Sequence, residues 1–260
     1  MDLTEVSAGA LRRHPWEIAR ARFFRRVLAD AGILAEPRAV LDVGAGDGYL
    51  GRGLLEALPT GSEICCLDTH YSDDDLARFS TPPQSGLAFT RTRPARRFDA
   101  ILLLDVIEHV ADDRAFLAPF VAENLAPGGV VLVSVPAWQA LFSRHDEALA
   151  HFRRYSPAAC RALLADAHLR VRRSGGLFHS LLVPRALTAA GERVLTRLGR
   201  RPAPPPNLGA WRGGRALSAV VATALAADNA VSHALARAGR ALPGLSFWAL
   251  CEADAEAHPS

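Results

Sequence analysis

The stretch VLDVGAGDGYLG, residues 40–51, constrains the fold of this chain more than any other. An apolar run stops at an acid, Asp42, and glycines then recur at every second position: Gly44, Gly46 and Gly48. A strand that ends in small residues and feeds a helix lets backbone N–H groups come close to a ligand. The three glycines remove the side chains that would block that approach. Asp42, at the strand end, can accept hydrogen bonds from an amine or a cation. Asp68 closes the next apolar run, EICCLD, at the position where a carboxylate meets two ribose hydroxyls.

Strand-like and helix-like segments alternate along the chain, which predicts a mainly parallel sheet covered on both faces. A helix is expected over residues 14–31, where Pro15 suits the first turn. AVLDVG, EICCLD, LAFTRT and FDAILLLDV read as the first four strands, with a helix after the glycines running to about Leu58. FDAILLLDV is apolar without alternation, as in a strand buried on both faces. The segment DRAFLAPFVAENL reads as a helix stopped at APGG and followed by the strand VVLVSVP. Ser156 and Pro157 open a helix over SPAACRALLADA, and LRVRRSG is a sixth strand. From residue 177 to 243 the period turns helical, with helices over 178–199 and 213–241 flanking RPAPPPNLG. LSFWALCEA reads as the last strand. The expected fold is thus an α/β, Rossmann-like core over 1–176 and 244–260. Residues 177–243 form a helical insertion between the last two strands, acting as a substrate lid or a dimer contact.

With 260 residues, half of them hydrophobic, the chain can bury a sizeable core. No purely apolar run reaches the length of a membrane span, so no transmembrane segment is expected. The first residues, MDLTEVSAGALRRHPWE, lack the basic-then-apolar order of a secretory signal. The cysteines, Cys65, Cys66, Cys160 and Cys251, have no metal-ligand spacing and read as reduced thiols in a cytoplasmic protein. The net charge is only +3, and arginine supplies every basic side chain but histidine. Its clusters at 91–97, 170–173 and 197–201 read as solvated faces, so nucleic acid is not indicated as a partner.

GDGYLG at 46–51 also matches the dinucleotide fingerprint, with Asp68 at the spacing that fingerprint asks for. An NAD(P)-dependent oxidoreductase is therefore the enzyme alternative. The ordered set VLDVGAGDGYLG, ICCLD, FDAILLLDVIEHV and LAPGGVVLVSVP decides between them. It resembles the class I S-adenosylmethionine-dependent methyltransferases, in particular the ubiquinone-methyltransferase-like group, over about residues 12–175. The resemblance implies a seven-stranded sheet with the last strand antiparallel and S-adenosylmethionine as cofactor. It implies that Asp42, Gly44, Gly46 and Gly48 lie at the cofactor, with Asp42 and Gly44 near its methionine part and Asp68 on its ribose. One departure is plain: FTRTRPARRFD has no acid directly after the third strand for the adenine amine, so no residue is assigned there.

The cofactor carries its own activated methyl, so the protein must hold a nucleophile in line with it and take off a proton. Asp105, Glu108 and His109 stand at the end of the fourth strand, where Asp105 is expected to help bind cofactor and the other two to brace the loop. No metal is expected. The alternative reading is a divalent-metal set at Asp105, Glu108 and His109, because the same spacing resembles the small-RNA 2′-O-methyltransferases, in which such residues and a later histidine hold magnesium. The polar stretch SRHDEALAHFRRYS, residues 143–156, looks like a signature shared by bacterial methyltransferases of this group. Its His145 and His151 are candidate general bases, with Asp146 orienting one of them. Arg153 and Arg154 could clamp an anionic group of the substrate, with Tyr155 beside them. Trp16, in HPWE, is a candidate to close over the cofactor. The helical insertion implies a partly hydrophobic small-molecule acceptor, and the atom expected to take the methyl is oxygen, ahead of nitrogen or carbon. It also leaves peripheral membrane contact and a monomer or homodimer open. A catalytically silent cofactor-binding protein and a metal-assisted RNA 2′-O-methyltransferase are the other rivals.

Overall fold

The computed structural model describes residues 13–200, 211 and 213–254. The RPAPPPNLG loop, 201–209, lies outside the described residues. Seven strands form one sheet: β1 Ala39–Val43, β2 Glu63–Leu67, β3 Leu87–Thr90, β4 Phe98–Leu104, β5 Leu125–Pro136, β6 Leu169–Leu177 and β7 Ser246–Ala253. Their order is β3-β2-β1-β4-β5-β7-β6. β7 runs antiparallel to both of its neighbours, and the remaining pairs are parallel. This is the sheet anticipated from the sequence.

The continuous apolar run of β4 is explained by burial on both faces. Ile101 and Leu103 belong to one core, with Leu163 and Leu164 of α6 (Pro157–Asp166). Ala100 and Leu102 belong to the other, with Phe24 and Leu28 of α1 (Pro15–Asp30) and Trp248 of β7. Cys65 and Cys66 divide between the same two cores, and all four cysteines are free and buried. Strand order reverses between β1 and β4, so a crevice opens at their carboxyl ends, where open α/β sheets bind ligands.

Some elements differ from the sequence reading. APGG does not end a helix; residues 126–129 belong to β5 and stand opposite Asp99 as a bulge, since Phe98 pairs Leu125 while Ala100 pairs Val130. The helix after the glycines, α2, spans Tyr49–Leu55, and the helix before β5, α4 (Asp113–Pro119), continues as a π-helical turn, Phe120–Asn124. Two short helices, α3 (Asp73–Phe79) and α5 (Arg144–Ala148), fall where only connections were expected. Each is opened by a reciprocal capping box, Ser72 with Asp75 and Ser143 with Asp146.

The insertion forms α7 (His179–Arg197) and α8 (Arg215–Arg237). By length and composition α8 could cross a membrane. Its Leu225 and Ala236 nevertheless sit in the core beside Trp248. α7 is far more exposed, showing Val183, Leu187, Val194 and Leu198 to solvent.

Candidate active site

The turn after β1 is fastened to the end of β2. Gly44 N and Ala45 N donate to Leu67 O at 2.8 and 3.2 Å, and the Tyr71 hydroxyl donates to Gly46 O at 2.6 Å. Gly44 and Gly48 have φ of +65° and +71°, a region costly for residues with a side chain. Space forbids one as well: a Cβ on Gly44 would stand 2.7 Å from Val106 Cγ2, and on Gly48 2.6 Å from Phe89 Cε1. Asp68 is nearly buried and accepts from Gly46 N at 3.2 Å and from His70 N at 3.0 Å. Asp42 is buried beneath the turn, and burial pushes its carboxyl up to about 7.

Beside the turn, Arg20 of α1 ion-pairs with Asp105 and stacks over the Trp16 ring at 4.4 Å. Asp105 has φ +58° and also accepts from the Ser134 hydroxyl at 3.1 Å. Sequence reasoning missed Arg20, because it lies 85 residues from its partner on a helix read only for packing.

A cavity of about 650 Å³ opens at the switch point, within the size range of small-molecule sites. Gly44, Asp68, Asp105 and Trp16 line one part of it, and Glu108, His109, His145, His151 and Arg154 line another. Phe116, Phe120, Leu149, Phe178 and Leu181 supply apolar wall. Asp42 and Gly44 line a smaller adjoining recess of about 40 Å³, with Arg20.

At the second part, Glu108 sits in the single 3-10 turn Ile107–His109 after β4 and is fully buried. Neither carboxylate oxygen has a hydrogen-bond partner, and burial pushes the group up to about 8. The rings of His109 and His151 meet edge to face at 4.5 Å. Donor atoms of Glu108, His109 and His151 all lie within 4.8 Å of one another. Phe152 N donates to Glu108 O at 2.8 Å, which fixes the 143–156 loop to this turn.

Asp146 is the hub of that loop. Its Oδ1 accepts from His151 Nδ1 at 3.1 Å and Arg154 Nε at 2.7 Å. Its Oδ2 accepts from Ser143 N at 3.0 Å and from the Arg185 guanidinium of α7 at 2.9 Å. Burial opposes charge on this carboxylate, but the His151 and Arg154 contacts and the Arg185 charge outweigh it and hold Asp146 well below the usual range. Burial, and then the Arg185 charge, lowers His145 from its ordinary value. With Asp146 on Nδ1, His151 keeps Nε2 as the ring nitrogen that can take a proton.

Of the three side chains anticipated for substrate, only Arg154 lines the cavity, and its guanidinium is committed to Asp146 and Ala137 O. Arg153 turns to Asp113, at 2.8 Å, and to Ala111 O. The Tyr155 hydroxyl donates to Asp113 at 2.6 Å. These two hold the loop to α4 and do not line the cavity. Asp105 points to Arg20 and Ser134, so the metal-type cluster is Glu108, His109 and His151 instead of Asp105, Glu108 and His109. Arg185, Phe178 and Leu181 had no positional signal, lying in the insertion.

A family model described as a methyltransferase domain matches residues 16–174. The chain is 32% identical over 103 residues to a ubiquinone biosynthesis O-methyltransferase of Cereibacter sphaeroides, a stretch of 36% of this chain and 40% of that enzyme. It is 31% identical over 102 residues to the enzyme of the same name from Azorhizobium caulinodans, covering 36% and 39%. The matched stretch thus spans about two fifths of the length of these relatives. Among solved structures, a candidate sarcosine dimethylglycine methyltransferase from Galdieria sulphuraria aligns with TM-score 0.54 and 16% identity, over 89% of this chain and 84% of that one. The [4+2]-cyclase SpnF aligns equally well, TM-score 0.54 with 14% identity, over 90% and 80%. At such identities the likeness is one of fold alone, and a cyclase shares it.

Proposed function

The chain belongs to the methyltransferase-domain family, and from that membership we propose that it moves the methyl group of S-adenosylmethionine to an oxygen of a small, partly hydrophobic acceptor. The observation that carries this reading is the single cavity that joins the glycine turn and Asp68 to the Glu108, His109, His145 and His151 side chains. Asp68 takes the ribose hydroxyls; Asp42 and Gly44 receive the methionine end; Trp16 and the Arg20–Asp105 pair border them. The sulfonium supplies the activated methyl. The chain supplies alignment, exclusion of water by Phe178 and Leu181, and a proton acceptor. His151, steadied by Asp146, is that acceptor, with His145 as the other imidazole in reach of the cavity. Oxygen is favoured as the methylated atom because a hydroxyl needs such a base and because the relatives matched over about a third of this chain carry the name O-methyltransferase. Methyl-labelled cofactor incubated with alkyl-substituted catechols, phenols and amines tests the proposal. Label on a catechol or phenol is expected; label on amines alone would overturn it.

A second reading is favoured by Glu108, a buried carboxylate with both oxygens unpartnered beside two imidazoles. Carboxylate and imidazole ligands suit a divalent ion, and a carboxylate behind a ligating histidine, as Asp146 stands behind His151, fixes its ring. Such an ion would lower the pKa of the acceptor hydroxyl, and His145 would then take the proton. Manganese titrated by calorimetry into the protein and its Glu108→Gln variant decides: heat lost in the variant supports the ion, and none in either removes it. The exposed α7 stripe of Val183, Leu187, Val194 and Leu198 is the surface for the peripheral-membrane or homodimer contact. Size-exclusion chromatography with and without phospholipid vesicles separates the two.

A further inference from the structure

We propose that Arg185 is a positioning residue for His151, acting from the helical insertion through Asp146. The inference rests on the reading of His151 as a residue facing the acceptor, and it adds to that reading a further role for the helical insertion.

The geometry of Asp146 carries it. The two oxygens divide their donors: Oδ1 serves His151 and Arg154, while Oδ2 serves Ser143 N and Arg185. Three of those donors lie within eight residues of Asp146 on the same loop; Arg185 lies 39 residues away, on α7. The carboxylate torsion of an aspartate is soft, so the orientation of Oδ1 depends on what holds Oδ2. Without Arg185, Oδ2 keeps only the Ser143 donors and Oδ1 keeps Arg154 Nε, so the carboxylate loses the one donor that anchors it from outside its own loop and its tilt toward His151 Nδ1 is less firmly set.

This is no surface pair. Asp146 is fully buried and the Arg185 side chain is 15% exposed. Arg185 also donates to the Ser143 hydroxyl, so one guanidinium reaches both the hub and the residue that caps α5. A single nitrogen, Arg185 Nη2, makes both contacts, so the ammonium of a lysine, with three N–H donors, can serve the same two acceptors. Leu181, one turn before Arg185 on the same helix, lines the cavity, so an acceptor packed against Leu181 bears on the helix that carries Arg185. Two more contacts tie α7 to this loop and to the turn just before it without touching Asp146: Arg144 N donates to Glu192 at 3.2 Å, and Arg193 donates to Ala140 O.

The test reads the His151 ring itself. In protein labelled with ¹⁵N at histidine and loaded with S-adenosylhomocysteine, the Nδ1–H resonance of His151 is identified by its loss in His151→Ala. Arg185→Met is expected to shift or broaden that resonance and mix the tautomers, while Arg185→Lys restores most of it. Methylation of an alkyl catechol probe should fall about tenfold or more in kcat in Arg185→Met, with affinity for S-adenosylhomocysteine unchanged. The double variant Glu192→Gln, Arg193→Met should leave the resonance in place. An unmoved His151 signal in Arg185→Met overturns the proposal. So does an equal change in the double variant, which would assign the effect to the seating of α7. Should Arg185→Met not fold, Arg185→Gln takes its place with the same outcomes. If His151→Ala retains turnover while Arg185→Met still moves the resonance, the base assignment fails and the positioning role stands.

Discussion

The two ends of the cavity are held by different means. At the proposed cofactor end, Gly44, Ala45 and Gly46 are fixed by backbone hydrogen bonds to Leu67 and by Asp68, within two neighbouring strand ends. At the proposed acceptor end, Glu108, His109, His151, Arg154 and Arg185 come from a 3-10 turn, a loop and the helical insertion, and they are tied together by side-chain contacts centred on Asp146 and by one backbone bond, Phe152 N to Glu108 O. The first end is rigid because of backbone shape. The second is set by balanced charge, so losing one member misplaces or destabilises the others.

That contrast can be broken at several points. The largest effect is expected from His151→Ala, which should lower turnover about 10²- to 10⁴-fold while leaving cofactor affinity nearly intact; equal loss of both would merge the two ends. Asp146→Ala strands Arg154 and Arg185 beside each other without their counter-charge, and should cost about 3–5 kcal/mol in denaturant unfolding. Gly44→Ala acts on the other end, through φ +65° and the contact with Val106, and should cost about 1–3 kcal/mol with a parallel loss of cofactor binding. Asp42 gives a pH signature. Its carboxyl, raised to about 7, must lose a proton to meet a cationic amine, so affinity for S-adenosylhomocysteine should weaken as pH falls below about 7, by up to about tenfold per unit. Calorimetry between pH 8 and 6 checks this, and Asp42→Asn should flatten the dependence. The smallest effect belongs to Arg153→Ala, a partly exposed pair with Asp113, expected to cost about 0–1 kcal/mol and to leave KM for the acceptor unchanged. A large rise in KM would return Arg153 to the substrate.

The same contrast explains what could be read from the chain. Asp42, the three glycines and Asp68 were legible because close backbone approach demands small residues at fixed local spacing. β4 was legible from its unbroken apolar run, and the antiparallel β7 through family resemblance. The pairing of Asp146 with His151 was visible as a short spacing, but Arg185 was not, since no local rule links a helix of the insertion to a loop 39 residues earlier. Arg153 and Tyr155 looked like substrate residues by composition; only the structure shows that Asp113 takes both. The α5 helix had left a signal in Ser143-x-x-Asp146, the capping-box spacing.

The proposed function stands on the glycine turn and Asp68 holding an S-adenosyl nucleoside. Titration of S-adenosylhomocysteine into the wild-type protein and Asp68→Ala by calorimetry tests it most directly, with NADH as a second ligand. One equivalent is expected to bind the wild type, with affinity reduced about tenfold or more in the variant and no heat from NADH. Binding of NADH in place of the nucleoside, or equal affinity in Asp68→Ala, would contradict it.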